Sequence, residues 1–81
     1  MRVRFTETAD EQLDRLPHRL QKRIVEKVEF YSLQSDPLKF AEPLTASNEY
    51  RFRVGDYRVI FEMLHGTMWV IAIKRRDEAY R

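Results

Sequence analysis

Val3 and Phe5 alternate with Arg2, Arg4 and Thr6, a period of two that predicts a short strand with one buried face. The period then changes. Ala9, Leu13 and Leu16 recur at helical spacing. Thr6 or Thr8 can cap that helix, because a hydroxyl accepts from the free first-turn amides while Glu7, Asp10 and Glu11 suit the positive end of the helix dipole. Pro17 ends this helix and can open another. Along the second helix Leu20, Ile24, Val28 and Tyr31 form the buried stripe, with Val25 and Leu33 beside it.

From Gln34 to Asn48, Pro37, Pro43 and a set of small polar residues predict a connecting loop. Tyr50 to Val54 then alternates aromatic or apolar residues with arginine, Gly55-Asp56 signals a two-residue turn, and Tyr57 to Leu64 is rich in β-formers. His65-Gly66 makes the next turn and Met68 to Ile73 the last strand. The elements read β-α-α-β-β-β, an α+β fold in which an antiparallel sheet carries the N-terminal helical hairpin on one face. One domain spans 1–81.

Strand parity gives the sheet a chemical face. A two-residue turn at Gly55-Asp56 pairs Val54 with Tyr57, Arg53 with Arg58, Phe52 with Val59 and Arg51 with Ile60. Tyr50, Phe52, Val54, Tyr57, Val59 and Phe61 then share the face covered by the helices, and Arg51, Arg53, Arg58 and Glu62 share the other. Like charges directly opposed across strands are destabilising. The Arg53–Arg58 opposition is therefore better explained by an anion held between them than by ordinary solvated strand arginines, and arginine suits phosphate through its planar fork and permanent charge. The register from His65-Gly66 puts Tyr57 opposite Lys74, so that Lys74, Arg75 and Arg76 emerge beside Arg58. Trp69 falls on the arginine face with Ile60, Ile71 and Ile73; it is read as a half-buried sheet residue that could also stack on a base.

Charge supports this asymmetry. The net charge is only +2, but residues 1–48 hold eight basic and eight acidic residues whereas residues 49–81 hold seven and five. With no cysteine and two histidines, a thiol nucleophile, a disulfide and the usual zinc sites are excluded, and no metal or cofactor is expected. His65 reads as a turn residue and His18 as a surface residue between the helices. No apolar run approaches the length of a membrane span and no signal sequence is evident, so the expected compartment is the cytoplasm.

The run Tyr50-Arg-Phe-Arg-Val-Gly-Asp-Tyr-Arg-Val-Ile-Phe61, followed by Ile71-Ala-Ile-Lys-Arg-Arg-Asp-Glu-Ala-Tyr80, resembles the RelE/ParE toxin superfamily over nearly the whole chain. RelE-like members cut mRNA in the ribosomal A site; ParE-like members share the fold and poison DNA gyrase. The resemblance to the RelE branch implies a toxin–antitoxin toxin whose partners are a cognate antitoxin, the ribosome and mRNA, with no membrane, and with a homodimer or a toxin–antitoxin hetero-oligomer open. It implies that Arg58 and Arg76 hold the scissile phosphate, that Arg51, Arg53 and Arg75 bind the RNA phosphates and position the backbone, that Tyr80 accepts a proton, and that Lys74, in place of a histidine found in many relatives, protonates the leaving oxygen. Glu42, in Glu-Pro-Leu, resembles a catalytic glutamate of some relatives. Arginine at 51 and 53 departs from the lysines of the best-known member, and arginine cannot act as a base. The alternatives are a gyrase poison and a relative that binds RNA or protein without cutting. The apolar strip around Trp69 is also a place where an antitoxin segment could lie.

Overall fold

The computed structural model describes residues 1–44 and 47–76. Strand β1 (Arg2–Phe5) leads into helix α1 (Glu7–Asp14) and helix α2 (His18–Ser32). Thr6 is the N-cap of α1, its hydroxyl accepting from the Ala9 amide at 3.2 Å, and Pro17 stands at the N-cap of α2. The segment predicted as a loop contains a 3-10 turn at Pro37–Phe40 and a two-residue edge strand, β2 (Glu42–Pro43). Strands β3 (Glu49–Val54), β4 (Tyr57–Leu64) and β5 (Thr67–Arg75) follow.

The five strands form one sheet in the order β1-β5-β4-β3-β2. The α+β arrangement with the helices on one face is as expected, but the sheet is mixed, because β1 runs parallel to β5. The last strand of the β3–β4–β5 meander lies between β4 and β1 and runs in the same direction as β1. Both hairpin turns have the predicted length. Gly55 has φ +60 and Asp56 is not among the positive-φ residues, the pattern of a turn with glycine at its first central position; His65 and Gly66 are both positive, at 49 and 75. A Cβ at Gly55 would also stand 3.3 Å from Arg23 Nη1, so helix α2 closes over this turn.

The core lies between sheet and helices. Ala9, Leu13, Ile24 and Val28 pack on Phe52, Val54, Val59, Phe61, Met68, Val70 and Ile73. Aromatic rings link the layers: Phe61 stacks on Phe52 at 4.6 Å and on Tyr50 at 5.7 Å, and Tyr31 of α2 bridges Phe52 at 4.7 Å and Phe40 at 5.2 Å. Leu33 departs from the predicted stripe. It is the C-cap residue of α2 and 78% exposed, because the helix ends before its next turn could face the sheet.

Phe61 is fully buried at the junction of these stacks, so Phe61→Ala is expected to cost about 3–5 kcal/mol by lost burial and a residual cavity. Leu33→Ser should change stability by less than about 0.5 kcal/mol. Urea denaturation of the two variants checks both values; equal losses would mean that the core is not organised around the ring stack.

Candidate functional site

The β3–β4 register is the one that the turn length dictates: Val54 pairs with Tyr57, Arg53 with Arg58, Phe52 with Val59 and Arg51 with Ile60. Two guanidinium side chains therefore face each other on the surface of the sheet away from the helices. The β4–β5 register differs from expectation by one residue. Phe61 pairs with Val70, but Ile60 pairs with Ala72, so Ile71 is the extra residue of a bulge. Burial along β5 records this: Met68, Val70 and then Ile73 are buried, a single break in the period of two.

The bulge has identifiable partners. β1 pairs with β5 only as far as Val70. Beyond it, the Thr6 hydroxyl donates to the Ile71 carbonyl at 3.4 Å and Gln12 Oε1 accepts from the Ile73 amide at 2.7 Å. Side chains from the N-cap and the body of α1 thus serve edge groups that a straight ladder would have left open. The result is chemical as well as structural. Lys74 stands directly opposite Arg58, and Tyr57 faces Arg75. Arg53, Arg58 and Lys74 form one row across three neighbouring strands. Ile73, expected on the arginine face, is buried in the core instead, whereas Trp69 keeps its outward place opposite Glu62.

Arg58 is 1% exposed, although parity alone predicts a side chain on an open surface. It projects from β4, the middle strand of the five, and has neighbours on both sides, while Arg53 and Lys74 remain exposed. Burying a cation is costly without compensating charge and hydrogen bonds. One compensating charge is the Glu42 carboxylate, close enough to Arg58 for the two to attract.

Glu42 supplies an anion of the chain's own. β2 pairs antiparallel with β3 so that Glu42 faces Arg51, and Arg51 donates to Glu42 Oε2 from Nη2 at 2.9 Å and from Nε at 3.3 Å. The Arg51 hydrogen bond and then its charge hold the Glu42 carboxyl below its ordinary value of 4.5; slight burial opposes this, and Arg53 and Arg58 add to it. Glu42 therefore stands at the arginine face as a carboxylate. The two-residue strand that carries it leaves no periodic signal in the sequence.

Arg75 lies on the helix side of the sheet, where it lines a depression with Gln12, Arg15, Leu16, Tyr57 and Ile73, and is not brought to the arginine row. Arg76 is exposed, and its amide donates to the Asp56 carbonyl at 2.7 Å, placing it at the end of the sheet where Arg53, Arg58 and Lys74 gather. Tyr80 lies outside the described residues. His65 sits in the turn at the opposite end, and His18 is exposed at the start of α2. Among the described residues no group of three or more His, Cys, Asp or Glu could hold a metal ion, and no helix is long and apolar enough to cross a membrane.

A family model described as the ParE toxin of the type II toxin–antitoxin system parDE matches residues 3–80. The chain belongs to the RelE/ParE toxin superfamily. Toxin RelG of Mycobacterium tuberculosis is 32% identical over 83 residues, covering 98% of this chain and 94% of the relative. Toxin RelE of the same organism is 36% identical over 83 residues, covering 98% and 84%. Among solved structures, the toxin–antitoxin complex RelBE2 from Mycobacterium tuberculosis contains a chain similar at TM-score 0.78 and 32% identity, over 93% of this chain and 96% of that one.

In this RelE/ParE toxin the outer face presents several cations in register, and arginine's planar fork suits paired contacts to phosphate oxygens. The guanidinium groups cannot exchange protons. The Glu42–Arg51 pair gives a pH test. A carboxyl lowered in the folded state contributes stability above the ordinary carboxyl value and loses it as pH falls through the lowered one. Wild type should be slightly more resistant to urea than Glu42→Gln at pH 7, with the gap closing as the pH falls below the ordinary carboxyl range and the Glu42 carboxyl is protonated. A gap that does not change with pH would assign the effect to packing.

Proposed function

We propose that this toxin is a ribosome-dependent mRNA endoribonuclease that stops translation. The observation that carries the reading is the row of Arg53, Arg58 and Lys74 on one sheet face, with Arg51 beside it. A surface that only docks onto a protein has no need of three like charges in register, whereas a phosphodiester passing to a more highly charged transition state does. Arg58 and Arg76 hold the scissile phosphate, and Arg51 and Arg53 fix the flanking backbone. The 2′-hydroxyl of the nucleotide before the cut attacks phosphorus and gives its proton to the phenolate form of Tyr80, a role carried by the family resemblance. Lys74 protonates the departing 5′-oxygen. The products are a 2′,3′-cyclic phosphate and a free 5′-hydroxyl, and the guanidinium groups supply charge stabilisation without requiring a metal ion.

A cognate antitoxin is the natural partner of this reading, since the structural relative was solved as the toxin–antitoxin complex RelBE2. The description of the matching family model as a ParE toxin supports a second reading, a poison of DNA gyrase. The two separate cleanly. Incubation with translating ribosomes in EDTA, followed by mapping of mRNA ends, should show cuts in the A-site codon. Intact mRNA together with trapped gyrase–DNA cleavage complexes would establish the second reading. Arg53→Gln, at an exposed position, should reduce cutting by about tenfold or more, and Arg58→Lys, which keeps the buried charge but not the fork, by about a hundredfold. Circular dichroism confirms that both variants fold; full cutting by folded Arg58→Lys would remove Arg58 from the chemistry.

A further inference from the structure

Arg51 and Arg53 lie on the same face of β3, yet their surroundings differ. Arg53 forms no ion pair among the described residues. Arg51 presents Nε and Nη2 together to a single oxygen of Glu42, at 3.3 and 2.9 Å. That edge of the guanidinium is one with which arginine makes paired contacts to phosphate. The carboxylate occupying it is easily removed: the Glu42 side chain is 58% exposed, and it stands on an edge strand of two residues.

We propose that Glu42 is a displaceable counter-ion of Arg51, pushed aside when an RNA phosphate binds, so that it tunes the affinity of the arginine face for RNA and does not serve as the catalytic base. The inference rests on the nuclease reading for the identity of the ligand. In the free toxin the carboxylate offsets repulsion among Arg51 and Arg53 on β3 and Arg58 on β4. In the complex it is a negative charge beside another negative charge, and Arg51 must exchange one oxygen ligand for another. A carboxylate bonded to a guanidinium also has reduced affinity for a proton, which makes it a poor acceptor from a 2′-hydroxyl.

The test uses an oligoribonucleotide carrying 2′-O-methyl groups, which keeps the phosphates and cannot be cut by 2′-hydroxyl attack. Its dissociation constant is measured by fluorescence anisotropy at low salt for wild type, Glu42→Gln, Arg51→Gln and the double variant. Glutamine retains an oxygen that can accept from Arg51 while removing the charge. Glu42→Gln should bind about three- to tenfold more tightly than wild type, an advantage that shrinks as salt screens the charge. In the Arg51→Gln background the same change should alter affinity by less than about twofold, because direct coupling is lost when one partner is absent. On ribosomes, kcat of Glu42→Gln should stay within about twofold of wild type at saturation, as expected of a group whose interaction is with the bound ground state.

Unchanged or weaker RNA binding by Glu42→Gln overturns the proposal. So does equal tightening in the Arg51→Gln background, and a kcat reduced by about a hundredfold with affinity intact would instead make Glu42 a general base. Wild type that binds RNA but is indifferent to Glu42→Gln refutes only the counter-ion. Wild type that neither binds nor cuts RNA overturns the nuclease reading as well.

Discussion

Arg53, Arg58 and Lys74 stand side by side because the backbone hydrogen bonds of three strands hold them there, against the repulsion of their own charges. The position of each is set by pairing. A two-residue turn aligns Arg53 with Arg58, and the bulge at Ile71 advances β5 so that Lys74 rather than Arg75 completes the row. Sliding β4 by one residue would turn its faces over, exposing Val59 and Phe61 and burying Arg58 on the helix side. The apolar face therefore enforces the polar one. Burial of Phe52, Val59 and Phe61 sets this register, since each large buried side chain contributes about 1.5–3 kcal/mol and a cross-strand pair only about 0.2–1 kcal/mol.

Support for the row is consequently long-range. Tyr31 of α2 reaches the hairpin through Phe52, and the Arg23 guanidinium covers Gly55, so the second helix steadies both the strand carrying Arg51 and Arg53 and the turn that aligns them with Arg58. Thr6 and Gln12 satisfy backbone groups of β5 around its bulge, tying the position of Lys74 to the first helix. Substitution at any of these residues could move a cation without touching it. The helical hairpin thus fixes the geometry of a face with which it makes no direct contact.

The difference between local and long-range constraints explains what the sequence discloses. The Arg53–Arg58 opposition is legible because it needs only strand parity and the length of the Gly55-Asp56 turn. The Lys74 position is not, because residues 68–73 are apolar or small on both parities and the bulge depends on hydrogen bonds from residues more than sixty positions away. β2 escapes for a different reason: two residues, one of them proline, carry no period, and its pairing shows only when Glu42 meets Arg51. Burial of Arg58 is equally hidden. Parity assigns a side chain to a face but says nothing of how deeply its neighbours enclose it.

A face fixed by backbone register has a further consequence for this superfamily. Side chains at positions 51, 53, 58 and 74 project away from the helices, so three of the four contribute little to the core that specifies the fold; Arg58 is enclosed, but on the outer side of β4. Their chemistry can change while the register survives. The same sheet can then present a row of cations to a phosphodiester or a different surface to a protein, which is why similarity of fold does not by itself identify the target. In this chain the bulge at Ile71 gives up backbone regularity to set Lys74 beside Arg58, in one row with Arg53, and it is on this charge in register that the proposed nuclease reading rests.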